Sequence, residues 1–80
     1  MRDELYDRIA TVFGEVLGEA PVRGPATLPQ DVEGWDSLGH IRLVHALEME
    51  FNCLLDEESL MIGPSLGTLV AGVRAATPVR

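Results

Sequence analysis

The stretch Gly34-Trp35-Asp36-Ser37-Leu38-Gly39-His40-Ile41-Arg42-Leu43-Val44-His45-Ala46-Leu47-Glu48 sets the reading of the whole chain. Continued to Phe51, it has the apolar spacing of a helix, and Asp36 or Ser37 is a suitable N-cap. At about 100° per residue, Leu43, Val44, Leu47 and Phe51 fall on one stripe, the expected core face. Leu38, Ile41 and Met49 fall on the opposite side, with Arg42 and His45 beside them. A helix in a small bundle needs only one apolar face in order to fold. The second stripe therefore asks for a use outside folding. Gly39 is expected to weaken the helix start by up to about 1 kcal/mol relative to alanine.

Upstream of this helix, Glu19 to Trp35 shows no sustained period and is punctuated by Pro21, Gly24, Pro25, Pro29 and Gly34. So long a structureless loop is uncommon in a short chain and usually has a functional reason. Leu28, Val32 and Trp35 are expected to tuck it onto the core. Before the loop, Leu5, Ile9, Val12, Phe13, Val16 and Leu17 recur at helical spacing. Asp3 and Glu4 suit the positive end of that helix, and Gly18 and Pro21 end it. Downstream, Asp56 to Leu60 can form a short helical turn. Pro64-Ser65 then opens a last helix with Ser65 as cap and Leu66, Leu69, Val70 and Val73 as its buried face, weakened by Gly67 and Gly72. The fold class expected is all-α, a small three- to four-helix bundle with a long first loop. It should be a single domain over residues 1–80, with its core at about 3–76.

Eighty residues leave little depth for an enclosed active site. Thirteen acidic side chains against six basic ones give a formal charge of −7, a field that repels nucleic-acid backbones and favours partners with basic surfaces. The one cysteine, Cys53, can form no internal disulfide and reads as a buried small hydrophobe. No His/Cys cluster has metal-ligand spacing, and no apolar run has the length of a membrane span. A soluble cytoplasmic protein, monomeric and without a resident metal, is expected.

Ser37 stands where the long loop meets a helix N-terminus. A phosphate attached to its hydroxyl would meet free backbone N–H groups and the positive end of the helix dipole. Taken alone, Asp-Ser-Leu is a common tripeptide and Ser37 reads as no more than a helix cap. Its context is acidic charge, a helix–long loop–helix order and a doubly apolar second helix. With Asp36-Ser37-Leu38, Leu43-Val44, Ala46-Leu47-Glu48 and Glu50-Phe51, the chain from about Leu5 to Val73 resembles the acyl carrier protein family, which includes peptidyl carriers.

The resemblance implies a 4′-phosphopantetheine arm on Ser37, installed from coenzyme A by a phosphopantetheinyl transferase, with the arm's thiol holding an acyl group as a thioester. It implies acyl-loading and acyl-processing enzymes as further partners. Leu38, Ile41, His45 and Met49, rimmed by Arg42 and Glu48, would then be the face shown to those enzymes, and Asp36 would lie near the transferase metal. The expected function is that of a discrete acyl carrier, itself non-catalytic. An aminoacyl or peptidyl carrier and an unmodified helical adaptor are the alternatives.

The chain departs from fatty-acid carriers in one respect. Gly39, His40 and Arg42 stand where those carriers are strongly acidic, which points to a specialised, polyketide-type or related pathway. His40 and His45 lie about 140° apart around a helix, too far to share one metal ion. Asp36, Ser37 and His40 superficially suggest a hydrolase triad, but two of them are chain neighbours and no cleft accompanies them. His40 is expected at the core edge beside the loop.

Overall fold

The first helix, α1 (Glu4–Leu17), buries Ile9, Val12 and Phe13, one residue set per helical turn, and keeps Leu5, Val16 and Leu17 half-covered at its edges. Gly18 ends it with φ of +84° and an N–H bonded to the Gly14 carbonyl at 2.9 Å, a left-handed closure that costs glycine little. The computed structural model describes residues 4–78, so Asp3 lies outside the described residues.

The loop that follows is less irregular than its composition suggests. It contains two single 3-10 turns, Gly24–Ala26 and Pro29–Asp31, each with proline in its first positions. The Asp31 carboxylate accepts the Leu28 N–H at 2.9 Å, and the Thr27 hydroxyl accepts the Arg23 N–H and donates to the Gly24 carbonyl. These bonds satisfy backbone groups that a loop cannot pair with itself. Val32 and Trp35 are buried as expected, whereas Leu28 is only half-buried and lies outside the core. Thr27 takes the buried place instead, because its hydroxyl finds both partners inside the loop.

The second helix, α2 (Ser37–Phe51), carries the centre of the core: Leu43, Val44 and Leu47 are buried, worth roughly 1.5–3 kcal/mol each. Phe51 packs against the same core but less deeply than the other three. It is half-buried at the edge, where the Arg8 guanidinium lies 4.5 Å above its ring while bonding Glu50 at 2.8 Å. That pair ties α1 to the far end of α2. Asn52 closes α2 in the left-handed conformation, with φ of 49°.

Two further helices complete the bundle: α3 (Glu57–Leu60), capped by Asp56, and α4 (Leu66–Ala75), which buries Leu66, Leu69, Val70 and Val73. Ser65 holds the cap position of α4 but its side chain makes no cap bond. The N3 N–H of Thr68 bonds the Ser65 carbonyl at 3.0 Å, and the Leu66 N–H is taken by the Thr27 carbonyl at 2.9 Å, which pins the long loop to α4. A two-residue antiparallel pairing, β1 (Cys53–Leu54) with β2 (Thr77–Pro78), joins the segment after α2 to the segment after α4. Two residues are too short to leave a periodic pattern in a sequence, so no strand was expected there. The architecture is the expected small helical bundle. No helix among the described residues is long and apolar enough to cross a membrane.

Candidate functional site

The N-terminal turn of α2 is built from three neighbouring residues with separate tasks. Asp36 is the N-cap: its Oδ1 accepts the Gly39 N–H at 2.7 Å, and its carbonyl accepts the His40 N–H at 2.8 Å. Ser37 is the first helical residue and is exposed. The N–H groups of Ser37 and Leu38 have no intrahelical carbonyl to bond, as in the first turn of any α-helix.

Gly39 does more than weaken the turn. A Cβ there would collide with the Gly34 carbonyl oxygen and reach 3.0 Å from a Leu17 methyl, so the absent side chain lets the loop and α1 close over the turn. Gly39→Ala is therefore expected to destabilise the chain by about 1–3 kcal/mol, against the direction that helix propensity alone would predict. Thermal melting checks the sign; a variant as stable as the parent would remove the packing argument.

The opposite stripe of α2 is as exposed as its periodicity implies: Leu38 at 57%, Ile41 at 63% and Met49 at 71%, with Arg42 and His45 also exposed. Three large apolar side chains facing outward along one helix contribute nothing to the core, and such patches mark contact surfaces. Glu48 differs from the rest of the expected rim. It is half-buried and its Oε2 accepts the Leu55 N–H at 2.9 Å, so its carboxylate is committed to the turn after α2.

His40 lies deeper than the core edge expected for it, at 3% exposure, within a buried network. The Trp35 indole N–H donates to its Nδ1 at 3.0 Å, and its Nε2 meets the Ser59 carbonyl at 2.9 Å. Trp35 stands edge-on to Phe13, with ring centroids 5.2 Å apart. A histidine inside the apolar arc of a helix must find partners for both nitrogens, which is a signal readable in the sequence. Its distant partner, Ser59, carried no such signal.

The Asp56 carboxyl is held below the ordinary carboxylate range, chiefly by hydrogen bonds from Ser59, whose N–H donates at 3.0 Å. Burial, and then the neighbouring Glu48 carboxylate, push the Cys53 thiol upward, which disfavours the reactive thiolate. Among the described residues no group of three His, Cys, Asp or Glu side chains could hold a metal ion.

Compared with known families, residues 7–73 match the one described as "Phosphopantetheine attachment site". The chain belongs to that family. It is a carrier protein of the acyl carrier protein type, and its cofactor is covalently attached 4′-phosphopantetheine, as the resemblance implied. Carriers of this kind meet phosphopantetheinyl transferases and the enzymes of their pathway. Comparison with curated proteins and with solved structures gave no match. The turn at Ser37 suits such a group, since an exposed hydroxyl sits beside unbonded helix N–H groups that favour a phosphodiester.

Proposed function

We propose that Ser37 is the residue that bears the phosphopantetheine arm, and that the chain is a non-catalytic carrier of acyl groups in a specialised, polyketide-type or related pathway. The observation that carries the assignment is the burial of the three serines. Ser59 is 2% exposed and Ser65 half-buried, whereas Ser37 is exposed at the helix start. When attached, the arm supplies the thiol to which cargo is bound as a thioester. The residues of the chain contribute the rest. Asp36 keeps the turn closed, the Ser37 and Leu38 N–H groups would be available to the phosphate of the attached arm, and Leu38, Ile41, Arg42, His45 and Met49 offer the surface that enzymes dock against. Incubating the chain with coenzyme A and a promiscuous phosphopantetheinyl transferase, then measuring intact mass, tests the assignment. The expected result is a gain of one phosphopantetheine unit, on Ser37.

The specialised pathway rests on charge. The exposed face of α2 carries Arg42 in place of an acidic residue, so its partners should present a complementary carboxylate there, while the net charge of −7 draws in basic surfaces more generally. Loading rates should fall as salt screens the long-range attraction. Arg42→Glu should raise KM with the carrier's own loading enzyme about two- to fivefold, the scale of an exposed charge pair. It should leave recognition by enzymes of fatty-acid synthesis unharmed or improved. Loading kinetics with both kinds of enzyme check the pair of outcomes, and equal impairment with both would count against the specialised reading.

A further inference from the structure

Two hydrogen bonds meet on the His40 ring, and they join segments that are far apart in the chain. An indole nitrogen can only donate, so the bond from Trp35 makes Nδ1 an acceptor and leaves the ring proton on Nε2. That N–H then donates to the Ser59 carbonyl on α3, 2.9 Å away. Both nitrogens are satisfied, and only the neutral Nε2–H form satisfies both.

The far end of this connection is itself immobilised. Ser59 is buried, its N–H is bonded to Asp56, and a Cβ on Gly72 would collide with the Ser59 hydroxyl, so α4 closes directly over it. At the near end, the His40 N–H bonds the Asp36 carbonyl and thereby completes the turn that holds Ser37. Helix ends fray, and this one is held by the Asp36 cap and by the close approach of Gly34 and Leu17 at Gly39, to which the His40 ring adds its bond to α3. A leucine at position 40 would fill a comparable volume. The histidine adds a directed bond to α3.

We propose that His40 is the positioning residue of the attachment site: by bonding the Ser59 carbonyl it pins the first turn of α2 to α3 and holds Ser37 in the orientation its modifying enzyme meets. The inference rests on Ser37 being the attachment residue. Without the pin, the turn is competent for only a fraction of the time, and the apparent affinity for the enzyme falls by that fraction while turnover at saturation persists.

The test uses the full chain, coenzyme A and a phosphopantetheinyl transferase, well below each variant's melting midpoint. His40→Leu keeps the bulk and loses the bond, and is expected to raise KM for the carrier about tenfold with kcat within about twofold. His40→Gln keeps a donor for the Ser59 carbonyl and should restore KM to within about threefold of the parent. Trp35 is the one tryptophan of the chain, so its emission reports independently whether the ring beside it is displaced.

A folded His40→Leu variant with parental KM, or equal impairment by Leu and Gln, overturns the proposal. Should His40→Leu not fold, Asp56→Ala loosens the α3 end instead. Faster amide exchange at Ser59 with a raised KM supports the pin, and faster exchange with an unchanged KM overturns it. A parent chain that takes no modification at Ser37 overturns the attachment reading and this inference together. A modified parent with unaffected His40→Leu kinetics overturns this inference alone.

Discussion

Ser37→Ala is expected to remain unmodified after prolonged incubation with coenzyme A and a phosphopantetheinyl transferase, while the parent gains one phosphopantetheine. The effect should be complete, because the attachment requires a hydroxyl and the two other serines are buried or half-buried. Stability should hardly change. The cap of α2 is the Asp36 carboxylate, which bonds the Gly39 N–H whether or not residue 37 has a hydroxyl. Alanine is also the best helix former for the first turn. Melting should therefore move by less than the equivalent of about 1 kcal/mol, the scale of losing a cap. A mass gain that persists in Ser37→Ala, or maps to Ser59 or Ser65, would sink the assignment.

The second large effect separates the two faces of α2. Leu47 and Leu43 are completely buried, so truncating either to alanine should cost about 2–5 kcal/mol, a loss that threatens folding in so small a domain. Leu38 and Ile41 lose little packing when shortened, so Leu38→Ala and Ile41→Ala should melt within the equivalent of about 0.5 kcal/mol of the parent. The same two variants should transfer cargo to and from pathway enzymes more slowly, since an apolar contact is removed from the docking face. Melting temperature and transfer rate, measured across the four variants, give opposite rankings if the division of faces is right. An Ile41→Ala variant that melts as early as Leu47→Ala would show that the exposed stripe is part of the core.

Most of this architecture was legible because helices announce themselves locally. The period of 3.6 residues locates α1, α2 and α4, and the same period splits α2 into an inward face and an outward one. The position of Ser37 at the start of α2 was legible for a related reason: a loop–helix junction there follows from the punctuation of the chain by proline and glycine. The failures have a common character. The family resemblance places Glu48 in the docking rim, but its carboxylate accepts the Leu55 N–H instead. Ser65 was expected to cap α4, and a carbonyl from the long loop does part of that work.

What the sequence determined by itself was the all-α class with its three longer helices, the exposure of Leu38, Ile41 and Met49, and the candidate attachment serine, because each depends on residues a few positions apart. What only the tertiary structure decided were the pairings across the chain. They are the Thr27 carbonyl with the Leu66 N–H, the absence of room for a side chain at Gly39 beneath the Gly34 carbonyl, and the His40 ring between Trp35 and the Ser59 carbonyl. Two of these three use a backbone carbonyl as acceptor and the third is a clash with one, and every residue has a carbonyl. No side-chain identity marks which carbonyl is the partner, so that information exists only once the helices are packed.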